Sequence, residues 1–439
     1  MISAPDPAAE GVAAAGRPAI LQLTAADNHG GGGVVAWGLR QRLLARGHRV
    51  PMVVGFKRSD DPGVRSLYDT PINRALSRLL GRRNLRAGLH RRLSPWLADD
   101  ISLLPGAALL RWPEFEAADL VHAHILHSLY FNLGLLPELA RRKPVVWTLH
   151  DEWPITGYAI CSACDHWQTG GCDCEPIGVL RPHRWNNTER LWRRKHRIYR
   201  RTPLTLVAPS RWLAERVGRS MLADKPLVVI PNGVDARRFR PRDQPPLRRK
   251  LGLPEDARIV FYAGRTGAKN ERKGWRFVRA LAGGLAAAPG DRRPTLFLCT
   301  GGGAPGPGIV AVPFITDREL LAEHYAASDL FLTPTLADNC PLSVLEALAS
   351  GLPVLSFRTG GVPELVEHGE TGYLAAYADG ADLLAGLRWL LSLPPERFAA
   401  MGAAARRRAE ARYTVERMTD DYVSLFHRVL AERARSAGR

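Results

Sequence analysis

Long apolar runs are missing from this 439-residue sequence, and acidic residues are outnumbered by basic ones. No segment approaches the roughly 18 consecutive apolar residues that a membrane-spanning helix needs, so we expect no such helix. Residues 1–17 are small and polar, include Asp6 and Glu10, and have no apolar core. This composition argues against a secretory signal and predicts a disordered lead-in. We therefore expect a cytoplasmic protein.

Cysteine is also scarce, with six residues in the whole chain. Four of the six lie in one loop, residues 161–174: Cys161, Cys164, Cys172 and Cys174. In a cytoplasmic protein such a group favours structural zinc over disulfides. The Cys-x-x-Cys pair can share a metal, whereas Cys-x-Cys is a tighter and less usual arrangement. The pattern leaves two alternatives of equal weight, a structural zinc site and free or transiently oxidised thiols.

Basic residues are in excess, with 61 Lys and Arg against 43 Asp and Glu and a net charge of +18. Such an excess indicates an anionic partner, unless it is only a solvated surface. The sequence shows neither zinc-finger spacing nor an aromatic and basic sheet face, so we expect no nucleic-acid partner. Residues 73–97 alternate arginine with leucine at near-helical spacing, which is typical of a helix on an anionic membrane or of a docked helix with a basic outer face. Residues 190–201 form a second basic stripe.

Apolar, β-branched segments alternate with helical patterns along the chain, which is typical of parallel sheets covered by helices on both faces. In the first half the strand candidates are Ile20–Leu23, Val50–Val54, Leu120–His122, Val145–Leu149, Leu204–Val207 and Val228–Ile230. In the second half they are Ile259–Tyr262, Thr295–Leu298, Ile309–Val312, Leu330–Leu332 and Val354–Phe357. The two series predict an α/β protein with two doubly wound, Rossmann-like domains, over residues 18–236 and 237–418. The remaining segment, 419–439, is predicted to be a helix and tail. The helical spacing itself runs from Tyr413 to about Arg435, and this helix can pack back on either domain.

Glycine-rich turns follow several of the predicted strands. Gly30–Gly33 precede a predicted helix over Val34–Arg46, and Gly360–Gly361 precede another helix. A polyglycine turn lets the backbone approach a ligand without hindrance from a Cβ atom. Between these turns, Asp338 or Asn339 is expected to cap a third helix. Because the free amides of a helix N-terminus attract anions, these turns predict a pocket for a diphosphate.

Residues 338–364 resemble the signature of the family-4 retaining glycosyltransferases, which have the GT-B fold of two Rossmann-like domains facing a central cleft. In that signature, a glutamate and seven further residues precede a second glutamate, an Ala-(Leu/Met)-Ala-x-Gly-x-Pro-Val segment and a Gly-Gly-x-Pro-Glu segment. Asp338 and Glu346 take the two acidic positions here, and residues 347–354 and 360–364 match the two segments.

The resemblance extends over nearly the whole chain from residue 19. Similar segments are found at residues 208–214, 230–235, 273–274 and 368–374. The stretch His-Asp-x-Trp-x-x-Thr-Gly, residues 150–157, precedes the cysteine-rich loop and is similar to the colanic-acid-type exopolysaccharide branch of the family.

The resemblance implies which residues bind the donor, a UDP- or GDP-linked sugar. Glu346 would bind the ribose, and Arg265 and Lys273 would bind the diphosphate. Lys269 is an alternative to Lys273 for this role, because the spacing between Arg265 and Lys273 is wider than in many relatives. The glycines Gly31 and Gly32 would meet the donor phosphate from the amino-terminal domain.

The resemblance also implies which residues surround the transferred sugar. Asp338 would hold it together with the backbone of four following residues, Asn339, Cys340, Pro341 and Leu342. His150 would contact the sugar near the reacting carbon. The resemblance implies that the leaving phosphate takes the acceptor's proton, and His150 or Asp151 is the candidate if there is a separate general base. Asp338 is one methylene shorter than the usual glutamate, which leaves the identity of the sugar open.

The function that follows is retaining transfer of a sugar to a hydroxyl acceptor in polysaccharide or glycolipid biosynthesis. Cations and helix amides can neutralise the leaving phosphate, so no catalytic metal is required. A membrane-surface helix over residues 73–97 would bring the cleft to a lipid-linked acceptor at the inner face of the membrane. Two alternatives remain open, a tailoring glycosyltransferase of a secondary metabolite such as an antibiotic and a GT-B-type nucleotide-sugar epimerase. An epimerase is expected to have additional acid–base carboxylates in the cleft, and the sequence shows no clear set of them.

Overall fold

The computed structural model describes residues 16–69, 92, 93, 96, 99, 101, 106–128, 130–162, 164–170, 178, 179, 185–264, 271–286, 293–301 and 306–438. Several sequence predictions lie outside these ranges: nearly all of the lead-in 1–17, most of the arginine-rich segment 73–97, Arg265, Lys269, Cys172 and Cys174. What was predicted of these residues stays a prediction.

The amino-terminal domain is built on one parallel sheet. Its strands in chain order are β1 Ile20–Ala26, β2 Met52–Phe56, β3 Val64–Ser66, β4 Leu120–Ala123, β5 Val145–Thr148, β6 Ala159–Cys161, β7 Gly178–Val179, β8 Thr205–Ala208 and β9 Leu227–Val229. Among the described residues, seven strands form the sheet in the order β3-β2-β1-β4-β5-β8-β9, and β6 and β7 form a separate antiparallel pair. The helices are α1 Gly30–Ala45, α2 Pro113–Glu116, α3 Leu136–Arg142, α4 Thr188–Arg200 and α5 Arg211–Val217.

The carboxyl-terminal domain repeats this plan. Its strands are β10 Arg258–Ala263, β11 Thr295–Thr300, β12 Ile309–Val312, β13 Leu330–Thr333, β14 Val354–Phe357 and β15 Gly372–Ala375. In the described part of the chain they form a six-stranded parallel sheet in the order β12-β11-β10-β13-β14-β15. The helices are α6 Gln244–Leu251, α7 Trp275–Ala286, α8 Arg318–Ala326, α9 Leu342–Ala349, α10 Val362–Leu365, α11 Gly380–Ser392, α12 Pro395–Arg412 and α13 Val415–Ala437.

Two doubly wound α/β domains were predicted from the sequence, and the two parallel sheets confirm this fold class. Every residue of β1 is buried, because helices cover both faces of the sheet. The sequence missed the short strands β3 and β15 and the hairpin of β6 and β7. These segments have two to four residues and lack a continuous β-branched run, so they carry little strand signal.

The chain crosses between the two domains at two adjacent points. The amide of Val234 donates to the carbonyl of Tyr413 at 2.8 Å, and the amide of Val415 donates to the carbonyl of Val234 at 3.0 Å. A Cβ atom on Gly233 would lie 2.5 Å from the Cα atom of Val415, so this close crossing requires glycine. The outgoing and returning segments are therefore held side by side.

The last helix, α13, begins at Val415, within the helical pattern predicted from Tyr413 to about Arg435, and returns to the amino-terminal domain. Its apolar side packs against α1 and the face of the sheet, with Tyr422, Phe426 and Val429 buried in the same cluster as Ile20. No described helix is both long and apolar enough to cross a membrane.

Both sheets reverse their winding in the same way, between β1 and β4 in one domain and between β10 and β13 in the other. In doubly wound sheets the loops that leave such neighbouring strands diverge and open a crevice at the carboxyl ends of the strands. Gly30–Gly33 and His124 lie at this position in the first domain, and Gly264 and the loop after Thr333 lie there in the second. These loops form the candidate site.

Removal of the Phe426 ring tests the role of α13 in stability. This side chain is fully buried, and Phe426→Ala is expected to lower the free energy of unfolding by about 3–5 kcal/mol, because it leaves a cavity in the core. The exposed residue Ser424 on the same helix provides a control, since Ser424→Ala should change stability by less than about 0.5 kcal/mol. Equal denaturation midpoints for the two variants would contradict this packing.

Candidate active site

Asp338 lies in the loop after β13 and forms an ion pair with Lys273, with 2.5 Å between Nζ and Oδ2. Burial by itself would raise the pKa of Asp338, but Lys273 and Arg272 outweigh burial, and the pKa lies below its ordinary value. The carboxylate is therefore charged at neutral pH. The turn at Gly360 packs directly on this loop, since a Cβ atom there would lie only 1.8 Å from the carbonyl oxygen of Asp338.

The helix after this loop, α9, begins differently from the sequence prediction. Its N-cap position is occupied by Pro341, with no side-chain cap, so the expectation that Asp338 or Asn339 caps the helix is wrong. The Asp338 carboxylate is engaged by Lys273 instead. Proline has no N–H, so Pro341 cannot donate to a ligand. The amides of Val344 and Leu345 donate to the carbonyl of Pro341 at 3.1 and 3.3 Å, so the amides of Leu342 and Ser343 are the ones at this end of α9 that have no acceptor within the helix.

Asn339 connects the two domains. Its Oδ1 accepts from Ser210 Oγ at 2.5 Å, and its Nδ2 donates to the carbonyls of Leu149 and His150 at 3.3 and 3.2 Å. These three partners belong to the amino-terminal domain. The side chain of Asn339 therefore places His150 beside Asp338, which the sequence had assigned to the same site.

Glu346 is buried in α9 with 3% of its surface exposed, and it is paired with a cation. Arg318 of α8 lies 2.6 Å from Glu346, measured between Nη2 and Oε1. Burial would lower the pKa of Arg318, but Glu346 outweighs burial and raises it. Glu346 is therefore a buried member of an ion pair and does not face solvent. Sequence reasoning missed Arg318, because no motif around it marks it as a partner of Glu346.

Arg272 is a second residue that sequence reasoning missed. Its Nη1 donates to the carbonyl of Ala337 at 3.2 Å and lies 3.6 Å from Cys161 Sγ. It thus joins the loop that carries Asp338 to the cysteine-rich segment of the other domain. The next residue, Lys273, was predicted from the motif. Its position beside Lys273 was the one signal in the sequence that could have identified Arg272.

The glycines after β1 form the first turn of α1, which begins at Gly30 and not at Val34 as predicted. Gly31 faces open space, with no atom within 4 Å of an added Cβ. At Gly32 an added Cβ would lie 2.6 Å from Ile125 Cδ1 and 2.9 Å from the ring of His150. Glycine at this position therefore allows the helix N-terminus to lie directly against His150.

His150 is the end of a chain of buried polar side chains. Its Nε2 lies 3.0 Å from His124 Nδ1, and the two rings are stacked. The ring of His124 also contacts that of His122, which lies 2.9 Å from Thr148 Oγ1 through its Nε2. Thr148 in turn contacts the hydroxyl of Tyr422 on α13 at 2.8 Å. Burial lowers the pKa of His150 to about 4, so this imidazole is neutral at physiological pH.

Asp151, the other candidate base, has a different environment. Its Oδ2 lies 2.7 Å from His127 Nε2, and its Oδ1 accepts from the amide of Trp153 at 3.0 Å. Burial would raise the pKa of Asp151, but His127 outweighs burial and lowers it. Both oxygens of this carboxylate are therefore hydrogen-bonded within the amino-terminal domain. His150, in contrast, contacts Asn339 of the other domain through its backbone carbonyl.

Of the four cysteines in the predicted zinc loop, the structure describes two. Cys161 contacts Arg272, and burial raises the pKa of its thiol to about 12. Cys164 Sγ lies 3.4 Å from Ser162 Oγ. Within the described residues no three His, Cys, Asp or Glu side chains are grouped as metal ligands. The zinc hypothesis involves Cys172 and Cys174 and stays a prediction that metal analysis of the purified protein would test.

Sequence models of known families match both domains. The model described as "Glycosyltransferase Family 4" matches residues 29–238, and the model described as "Glycosyl transferases group 1" matches residues 257–392. The first range includes Gly31, Gly32 and His150, and the second includes Lys273, Asp338 and Glu346. Both sides of the candidate site therefore fall within matched regions.

Two relatives and two solved structures illustrate the similarity. WcaC of Escherichia coli K12, named for colanic acid biosynthesis, is 25% identical over 93% of this chain and 99% of its own length. A D-inositol 3-phosphate glycosyltransferase of Geodermatophilus obscurus is 31% identical over 48% of this chain, which spans about half (49%) of that relative. Sucrose-phosphate synthase from Thermosynechococcus elongatus has a TM-score of 0.66 at 19% identity, over 94% of this chain and 100% of that one. Anabaena HepE in complex with UDP has a TM-score of 0.61 at 18% identity, over 93% and 99%.

The three buried imidazoles predict a pH dependence of stability. Burial lowers the pKa of His122 to about 3 and that of His150 to about 4, and it also lowers the pKa of His124 from the ordinary 6.5. As the pH falls below 6.5, the unfolded chain binds protons that the folded chain does not, so stability decreases by about 1.4 kcal/mol per pH unit for each such proton. Above that pH the effect vanishes.

The contribution of one imidazole can be isolated with His124→Leu. Urea denaturation between pH 6 and pH 4.5 measures how the free energy of unfolding changes with pH. We expect this slope to be smaller in the variant by about 1.4 kcal/mol per pH unit, the contribution of one proton. The carboxylates are common to both proteins and cancel in the comparison. Identical slopes would mean that His124 titrates normally in the folded protein.

Proposed function

This chain belongs to the family-4 glycosyltransferases with the GT-B fold, and we propose that it transfers a sugar from a nucleoside-diphosphate sugar to a hydroxyl group with retention of anomeric configuration. One observation carries the proposal. Asn339 donates to the backbone carbonyl of His150 in the opposite domain, and the preceding residue, Asp338, pairs with Lys273. A diphosphate ester needs cations and amides on one side and a water-poor wall on the other.

The donor is proposed to lie along the carboxyl-terminal sheet. Glu346 is buried and paired with Arg318 through Oε1, and this environment supports a role for its carboxylate as acceptor of the ribose hydroxyls. Lys273 has three ammonium protons, of which the contact with Asp338 uses one, so the others can reach a phosphate. The solved complex of Anabaena HepE with UDP supports a uridine nucleotide. GDP-linked sugars are the alternative.

In the proposed reaction the bond between the anomeric carbon and the β-phosphate oxygen breaks, and the acceptor oxygen bonds to the same face of the carbon. Negative charge grows on the leaving phosphate, where Lys273 and the first amides of α9 stabilise it. The leaving phosphate takes the acceptor's proton. His150 is neutral, so it can hydrogen-bond a sugar hydroxyl without adding charge beside the developing positive carbon.

The acceptor is proposed to be a growing exopolysaccharide or glycolipid. The similarity to WcaC, which is named for colanic acid biosynthesis and matches over nearly its whole length, supports this choice. A lipid-linked acceptor at the cytoplasmic face of the membrane would be consistent with the basic composition of the chain, with its net charge of +18.

Donor binding is tested by thermal shift with a panel of UDP- and GDP-sugars. The wild type should be stabilised by at least one of them. Glu346→Gln keeps the side-chain volume but replaces one of the two oxygens proposed to accept the ribose hydroxyls with an amide nitrogen. We expect this change to weaken donor binding by about 1.5–3 kcal/mol, or roughly 10- to 150-fold in Kd. Glu319→Gln on the exposed side of α8 should keep the wild-type affinity. Absence of stabilisation of the wild type by every nucleotide sugar would refute the proposed donor class.

The role of Lys273 can be separated from general binding by a comparison of two nucleotides. With the nucleotide identified in the panel, Lys273→Ala should lower the affinity for the nucleoside diphosphate by roughly tenfold or more, because it removes a charge-assisted contact. The corresponding nucleoside should bind the variant and the wild type about equally. Calorimetric titration measures both. A similar loss for both ligands would indicate a distorted pocket and would contradict a phosphate contact.

A further inference from the structure

A groove lined by arginines lies on the amino-terminal domain, away from the donor cleft. Four arginines line it, Arg190, Arg194, Arg197 and Arg201, and we call it the arginine groove. They follow one another at intervals of three or four residues along α4 and its end, so they share one side of the helix. Pro137 of α3 and Ile198 form the apolar part of the wall, and the cavity has a volume of about 460 Å³.

The groove concentrates positive charge with little compensation. Arg194 lies 3.5 Å from Asp99, a long contact. In the described part of the chain, Arg190, Arg197 and Arg201 form no salt bridge, whereas Arg193 on the outer side of the same helix pairs with Glu189 at 2.5 Å. Like charges at helical spacing of three or four residues destabilise a helix. A bound anion would remove this repulsion.

Phosphate is an anion that fits these side chains well. A guanidinium group presents parallel N–H donors that match two oxygens of one phosphate, and it stays charged at every physiological pH. From Arg190 to Arg201 the helix rises by roughly 16 Å, which is longer than one phosphate group. We propose that the arginine groove binds two or more closely spaced phosphate groups.

The inner side of α4 connects this groove to the candidate active site. Lys195, which is fully buried, donates to the carbonyls of Trp153 at 2.7 Å and Thr156 at 3.2 Å. These residues belong to the segment that follows His150. A phosphate-bearing ligand in the groove would therefore bind the same rigid unit that carries His150, on the domain opposite the donor.

Two sources can supply such phosphates, the headgroups of an anionic membrane and the diphosphate of a small phosphorylated ligand. Two probes distinguish them with the full-length protein: inorganic pyrophosphate in calorimetric titrations, and vesicles of phosphatidylglycerol against vesicles of phosphatidylcholine in flotation assays. The test variant is Arg190→Gln/Arg197→Gln, which leaves the contact of Arg194 with Asp99 intact. The control is Arg193→Gln/Arg200→Gln, which removes the same charge from the same helix.

We expect binding to fall by about tenfold or more in the test variant and to change little in the control, because only the first pair lines the groove. A selective loss of pyrophosphate binding identifies a small phosphorylated ligand, and a selective loss of flotation with phosphatidylglycerol identifies membrane headgroups. Pyrophosphate that binds in the donor cleft contributes equally to both variants. Equal behaviour of the two variants toward both probes overturns the proposal. Donor affinity, measured in parallel, should be unchanged in both, so this result is independent of the proposed function.

Discussion

One side-chain amide, that of Asn339, sets the geometry on which the candidate site depends. An amide offers an acceptor and a donor at fixed spacing, so it can bond Ser210 and the carbonyls around His150 at the same time. A carboxylate here would face two carbonyl oxygens without a donor. Glu364 adds a second connection, since its two oxygens accept from the amides of Arg211 and Trp212 at 2.9 and 2.8 Å. That position at the amino end of α5 is favourable for a negative charge.

Buried carboxylates define the carboxyl-terminal half of the site, and each has its own cation. Asp338 pairs with Lys273, and Glu346 pairs with Arg318. Without Lys273, burial would raise the pKa of Asp338 and favour its neutral acid, which is a poorer hydrogen-bond acceptor. The pairing also keeps Lys273 close to the loop where a phosphate would develop charge. The contact with Lys273 thus keeps the carboxylate of Asp338 charged and holds a cation beside the loop.

The amino-terminal half relies on neutral polar groups. Its histidines lie in a chain that runs from the cleft at His150 through His124 and His122 to Thr148. Thr148 in turn contacts Tyr422 of α13. This helix belongs to the amino-terminal domain in space, although it follows the carboxyl-terminal domain in sequence. The C-terminal helix therefore supports the candidate site as well as the core. A neutral, hydrogen-bonded wall of this kind excludes water from a reaction that must favour a sugar hydroxyl over hydrolysis.

The sequence by itself determined the alternation of strands and helices, because continuous apolar strands and glycine turns are local signals. It also identified the motif that contains Asp338 and Glu346, because the motif is contiguous. Only the tertiary structure decided which partners these residues have: Arg318 and Arg272 are brought in by packing between elements distant in sequence. Likewise, local propensity predicted that Asp338 or Asn339 caps α9. In the structure Asp338 pairs with Lys273 instead, and Pro341 occupies the N-cap position. Pairings between elements that are distant in sequence leave no periodic trace in the chain, so no local pattern could have predicted them.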